Sequence, residues 1–71
     1  DEAAMVERLA SEFGEIPVAS GLQTNGGLIE ILTSPSGSWS IIVGAPGGPV
    51  CLVSSGGDWQ ASPAAVPGRG A

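Results

Sequence analysis

Three clusters of turn-forming residues divide the middle of the chain, and they constrain its fold more than any other feature. The clusters are Asn25-Gly26-Gly27, residues 34–37 (SPSG) and residues 44–49 (GAPGGP). Glycine and asparagine accept positive φ angles, and proline presets φ for a turn, so long helices are not expected here. We therefore predict short antiparallel strands joined by hairpin turns, with a type I′ turn at Asn25-Gly26.

The N-terminal segment has a helical periodicity instead. Its apolar residues lie three or four positions apart and so share one face of a helix: Met5, Val6, Leu9, Ala10 and Phe13. Asp1 stands where an acidic side chain can cap the helix, and Gly14 can end it in a left-handed conformation. We predict an amphipathic helix over residues 3–13.

Four apolar segments predict the strands of one sheet: residues 16–22, 28–33, 38–43 and 50–54. Pro17 weakens the first segment and favours an edge position, because proline cannot donate to a ladder. In the third segment Trp39, Ile41 and Val43 alternate with more polar residues, which predicts one buried face. Because the helix is the only amphipathic cover, we expect it to lie across these three side chains.

The predicted architecture is thus α+β: an N-terminal amphipathic helix packed on a three- to four-stranded antiparallel β-meander. Residues 1–60 form this single domain, and residues 61–71 (ASPAAVPGRGA) form an extended tail with little apolar surface to bury. We find no convincing internal repeat. A core of this size supplies only about 3–5 kcal/mol of net stability.

The charge balance restricts the partners. Seven acidic and two basic residues give a net charge of −5, and there is no lysine. Nucleic acids and anionic membranes are held by clusters of Lys and Arg, so neither is expected. No apolar run approaches the roughly 20 residues that cross a bilayer. The charge favours a basic protein partner.

The residue types that usually carry catalysis are missing. The chain has no His, Tyr or Lys, which removes the commonest general base and the usual activators of a serine. Metal and phosphate motifs are absent for the same reason. Glu12, Glu15 and Glu30 are expected on solvated faces. We predict no enzyme activity, no cofactor and no metal.

Cys51 is the single cysteine. Its apolar neighbours favour a small buried residue, whereas in an exported protein an odd cysteine indicates a disulfide with a partner outside this chain. The sequence begins at Asp1 rather than Met. We favour a mature exported protein over a trimmed chain as the explanation.

Four stretches occur in a specific order: FGEIPVASGL (13–22), the Asn25-Gly26 turn, LIEILTSPSGSWSIIV (28–43) and PVCLVSSGGDW (49–59). In this order they resemble a group of small exported bacterial proteins, mostly of unknown function. The resemblance implies a signal peptide and a periplasmic or extracellular location. It also implies a second cysteine just before the helix, paired with the one matching Cys51. Such a bond would contribute roughly 3–4 kcal/mol to stability. The given sequence begins at Asp1 and does not contain this second cysteine.

Low charge, small size and the tail together favour an interaction module. We expect an exported accessory or small structural subunit of a larger envelope assembly, whose partner is a protein such as a membrane-complex subunit. The predicted partner-binding residues are Trp59, Asp58, Pro63, Pro67 and Arg69. Trp59 could instead cover the open end of the core. The alternative function is an acidic inhibitor of a basic secreted hydrolase, with Glu15, Glu30 and Asp58 as contacts.

Overall fold

The computed structural model describes residues 1–62, which contain one helix followed by one antiparallel sheet. The helix α1 spans Glu2–Phe13, and the strands β1 to β4 span Ile16–Leu22, Leu28–Thr33, Trp39–Gly44 and Val50–Gly56. The strand order β1-β2-β3-β4 is that of a meander. The predicted α+β class is confirmed, with β4 two residues longer than expected. Pro63, Pro67 and Arg69 of the predicted tail lie outside the described residues.

Local capping fixes both ends of α1 as the sequence predicts. The Asp1 carboxylate accepts a hydrogen bond from the N–H of Ala4 at 2.8 Å. At the other end Gly14 takes a left-handed conformation, with φ of 68°. The N–H of Gly14 donates to the carbonyl of Ala10 at 3.0 Å, and the next N–H, of Glu15, donates to that of Leu9 at 3.2 Å. These bonds satisfy carbonyls that the helix end would leave free.

The three hairpin turns share one hydrogen-bond pattern. In each, the first residue donates its N–H to the carbonyl four positions on: Gln23 to Gly27, Ser34 to Ser38 and Ala45 to Pro49. The turns start at residues 23, 34 and 45, so the same unit recurs every 11 residues. This repeat of geometry escaped the sequence analysis because the residues that build each turn differ.

The predicted type I′ turn at Asn25-Gly26 is wrong. That turn needs positive φ at both residues, but among residues 1–62 the only residue other than glycine with positive φ is Asp58. The turn instead runs from Gln23 to Gly26, closed by a 2.9 Å bond from the N–H of Gly26 to the carbonyl of Gln23. Gly26 alone adopts positive φ, 88°. The Asn25 side chain accepts a bond from the N–H of Gly27 at 2.9 Å, which stabilises this arrangement.

The helix covers the opposite face of the sheet from the one predicted. Its buried side chain Leu9 packs with Leu32 and Ile42 in the core. Met5, Val6 and Val50 surround this cluster. Trp39, Ile41 and Val43 alternate with Ile42 along β3 and therefore lie on the other face. The predicted helix stripe is also too wide, because Ala10 is exposed and Phe13 is 55% exposed.

The central strands carry large apolar side chains on both faces, and this explains the error. Leu32 and Ile42 lie on the helix face, together with the polar Glu30 and Ser40, and Ile31 pairs with Ile41 on the other face. Alternation therefore cannot say which face is covered. The choice follows from the two-residue link between α1 and β1, whose left-handed Gly14 directs the chain to one side of the sheet only.

Candidate functional site

The face of the sheet opposite α1 carries a continuous set of apolar side chains. We call it the open face and define it by the central strands: Ile29, Ile31, Trp39, Ile41 and Val43. Each is only partly buried, by its neighbours within the sheet. Across β1, Ala19 pairs with Ile31 and Gly21 with Ile29. These small residues leave a shallow cleft of about 190 Å³ there. Within residues 1–62 no helix or further strand packs on this face.

A pair of tryptophans closes one end of the open face. The ring centroids of Trp39 and Trp59 are 6.0 Å apart, with a 51° angle between the planes. The indole N–H of Trp39 donates to the carbonyl of Gly57 at 3.0 Å. The backbone N–H of Trp59 donates to the carbonyl of Gly37 at 2.9 Å. Trp59 thus folds back over the end of the sheet, where it is partly buried, while Asp58 is exposed.

The edge strand β4 is the least covered part of the sheet. Cys51 is exposed, so the expectation of a buried cysteine is wrong. It pairs with Val43, which places its thiol on the open-face side. A register shift opposite Ile41 and Ile42 interrupts the ladder at Val53, which is 56% exposed. A disulfide with a cysteine outside this chain stays a prediction.

A carboxyl pair lies beneath the N-terminal end of α1. Glu30 points away from Ile29 and Ile31, as the alternation predicts, but this direction leads under the helix and not into solvent. There a hydrogen bond with the carboxyl group of Glu2 raises the pKa of Glu30 above its ordinary value of 4.5. Burial and the negative charge of Glu2 act in the same direction.

The cleft beside this pair has a volume of about 260 Å³. Two carboxyls that share a proton are a feature of some acid–base sites. Asp1 also lines this cleft, but the described residues around it add no imidazole, lysine or thiol side chain to the pair; most are turn glycines and aliphatic side chains such as Leu28 and Val50. No group of three or more metal-ligand side chains occurs in residues 1–62. We find here a carboxyl pair without an imidazole, lysine or thiol side chain beside it among the described residues.

Glu15 is the only acidic residue among residues 1–62 that is fully buried. The side chain is only 2% exposed, and its Oε1 atom has no hydrogen-bond partner among the described residues. The expectation that Glu15 is solvated, or that it contacts a basic enzyme from the surface, is therefore wrong. No sequence signal separated it from the exposed Glu12, because its burial depends on how the α1–β1 link turns under the helix.

Glu15 lines a second cleft, of about 220 Å³, between the C-terminal end of α1 and the sheet. Leu9, Phe13 and Leu52 supply apolar walls, and Ser40 and Ser55 supply hydroxyl groups. Trp39 lies at the end shared by this cleft and the open face. The two surfaces are therefore neighbours at one end of the sheet.

Acidic charge is concentrated on the helix side of the domain. Six of the seven acidic residues lie on α1, at its ends or on the sheet face beneath it: Asp1, Glu2, Glu7, Glu12, Glu15 and Glu30. Asp58 is the exception, beside the tryptophan pair. The central strands place no ionisable side chain on the open face.

Within residues 1–62 no helix has the length and hydropathy that a membrane crossing requires. Comparisons of the chain with protein-family models, with curated proteins and with solved structures found no match.

Proposed function

We propose that this domain is a non-catalytic protein-interaction module, an exported accessory or small structural subunit of a larger envelope assembly. It docks on its partner protein through the open face. The observation that carries the proposal is a continuous apolar sheet face that nothing covers within residues 1–62. Contiguous apolar surface of this kind is typical of protein–protein contact sites.

Charge distribution supports a protein as the occupant. The core of a protein–protein interface is depleted in charged residues and enriched in aromatic ones. The open face has both properties, since its central strands carry Trp39 and no ionisable group, while the acids lie on the other side. A partner with an apolar docking surface and basic residues at its margin complements this arrangement and the net charge of −5.

The size of the face indicates that the contact extends beyond it. Four strands about 4.8 Å apart and roughly six residues long present about 300–400 Å². A standard interface buries about 800 Å² on each partner. The remaining area is available next to the face at the exposed edge strand β4 and at the tryptophan pair. An edge strand also offers unpaired backbone groups to a partner strand.

The test is affinity capture of the partner from the native envelope under non-reducing conditions, with mass spectrometry, followed by titration of the purified partner. The variant Ile31→Lys places a charge on the open face. Its matched control, Leu22→Lys, makes the same charge change at a residue 79% exposed on the helix side of β1.

We expect Ile31→Lys to lose capture and Leu22→Lys to retain it, with circular dichroism showing that both variants fold. The long lysine stem lets the variant domain keep its fold while its charge reaches water. Equal capture of the same partner by both variants would contradict docking through the open face. Non-reducing gels of the same samples report whether Cys51 is disulfide-linked to the captured protein.

A further inference from the structure

We propose that the cleft around Glu15 is a binding site for a guanidinium group, namely an arginine side chain of the partner protein. The identity of that arginine as a partner residue rests on the proposed function, but the site itself rests on the geometry of this domain. The lining that carries the argument consists of Leu9, Phe13, Glu15, Ser40 and Leu52.

The first step is that Glu15 has no partner inside the domain. Its side chain is 98% removed from solvent, yet Oε1 accepts no hydrogen bond from the described residues. Buried polar atoms almost always have a partner, and each exception requires an explanation. Removing a carboxylate from water without a compensating donor costs several kcal/mol.

The position of Glu15 increases this cost. It follows Gly14 directly at the C-terminal end of α1, where the helix dipole is negative. A negative side chain is unfavourable there, whereas a cation is favourable. A bound cation would therefore satisfy the carboxylate and the helix end together.

The second step is the chemistry of the walls. Leu9 and Leu52 suit the aliphatic stem of a long cationic side chain, whose charged end would reach Glu15. Ser40, only 3% exposed, offers a hydroxyl acceptor to a second N–H group.

These features favour guanidinium over ammonium. Guanidinium is planar, is less strongly hydrated than ammonium and offers five N–H donors, so one group can reach both the Glu15 carboxylate and the Ser40 hydroxyl. An ammonium group is a compact, strongly hydrated point charge, and its desolvation in an apolar cleft is less favourable. At about 220 Å³ the cleft is smaller than the roughly 300–1,000 Å³ typical of sites for drug-sized ligands, which fits a single side chain.

The experiment is an NMR titration of the intact domain with three neutral-capped amino acids: N-acetyl-arginine methylamide, its lysine counterpart and its citrulline counterpart. Citrulline keeps the shape of arginine and lacks its charge. We expect saturable shifts of the backbone N–H groups of Glu15 and Ser40 with the arginine compound. Its affinity should be near the millimolar range and at least about tenfold above that of citrulline, with lysine between the two. Equal affinity for arginine and citrulline overturns the proposal.

Glu15→Gln is the decisive variant, and Glu7→Gln, at an exposed helix position, is the matched control. Glu15→Gln should abolish arginine binding and leave the free domain as stable as the wild type or more stable, because it removes an uncompensated charge. Glu7→Gln should change neither. A Glu15→Gln domain that is less stable and still binds arginine shows that Glu15 has only a structural role, and overturns the site.

The two proposals can fail separately. Ile31→Lys should retain arginine binding while losing partner capture. The guanidinium site is refuted if the wild type binds no arginine and Glu15→Gln still captures the partner. That result leaves the docking proposal for the open face intact. If the wild type binds arginine but Ile31→Lys has no effect on capture, the docking through the open face is refuted and the guanidinium site stands.

Discussion

Two adjacent isoleucines provide the sharpest test of which sheet face the helix covers. Ile42 is 2% exposed under α1, whereas Ile41 lies on the open face and is partly buried. Truncation to alanine removes three carbon groups. At about 0.8 kcal/mol for each buried group this is about 2.4 kcal/mol for Ile42. The unfilled cavity brings the cost to about 3–4 kcal/mol.

Ile41 already exposes part of its side chain to water, so Ile41→Ala should cost only about 1 kcal/mol. Because a domain of this size has a net stability of about 3–5 kcal/mol, Ile42→Ala should be close to unfolded at room temperature. The milder substitution Ile42→Val should lower the free energy of unfolding by about 1 kcal/mol. That variant stays folded, so its stability can be measured. Ile41→Val should then be nearly neutral.

The assay is urea unfolding at constant pH, followed by the fluorescence of Trp39 and Trp59. A change in midpoint with an unchanged slope reports stability and not a change in the exposed area. The same ordering must appear in both the alanine and the valine pairs. If Ile41→Ala costs as much as Ile42→Ala, the open face is covered in the folded protein, and the docking proposal is refuted.

Three further predictions address other parts of the molecule. The folded state holds the Glu30 proton more tightly than the unfolded chain, so this group lowers the free energy of unfolding as pH rises from the ordinary value of 4.5 through the raised pKa. Glu2→Gln should flatten that decline in a urea series across pH, and an unchanged pH profile would contradict the carboxyl pair. Gly27→Ala should prevent stable folding, since the added Cβ would lie 2.6 Å from the carbonyl oxygen of Gly44. A cooperative thermal transition near that of the wild type would argue against this contact. Cys51 should react with a thiol reagent in the native state nearly as fast as in urea, unless it is already disulfide-bonded. A thiol protected until unfolding would mean that β4 is covered.

Much of the fold followed from local patterns. The helix, its two caps, the order of the strands and the places of the turns each depend on a few consecutive residues. Asp1 and Gly14 are examples, because capping involves groups within one helical turn of either end. The turn at Asn25-Gly26 shows the limit of such reasoning. Its place was correct and its type was wrong, since the hairpin register left positive φ to Gly26 alone.

The candidate site could be predicted only in part. Trp59 was a candidate from sequence, and the structure places it against Trp39, but no pattern indicated that Ile31 and Ile41 would be left uncovered. Glu15 was assigned to the solvent because an isolated acidic residue next to a helix end is usually solvated. It is buried instead, beside a cleft lined by residues of β3 and β4, which are distant in the chain.

The amino-acid order by itself determined that this chain makes one amphipathic helix and a meander of short strands with acidic, lysine-free surfaces. These properties depend on periodicity, turn chemistry and composition, which act over a few residues. Only the tertiary structure decided which side of a sheet with two apolar faces receives the helix. That choice depends on the direction of the short link at Gly14, and it leaves Ile41 outside, Ile42 inside and a carboxylate without a partner between helix and sheet.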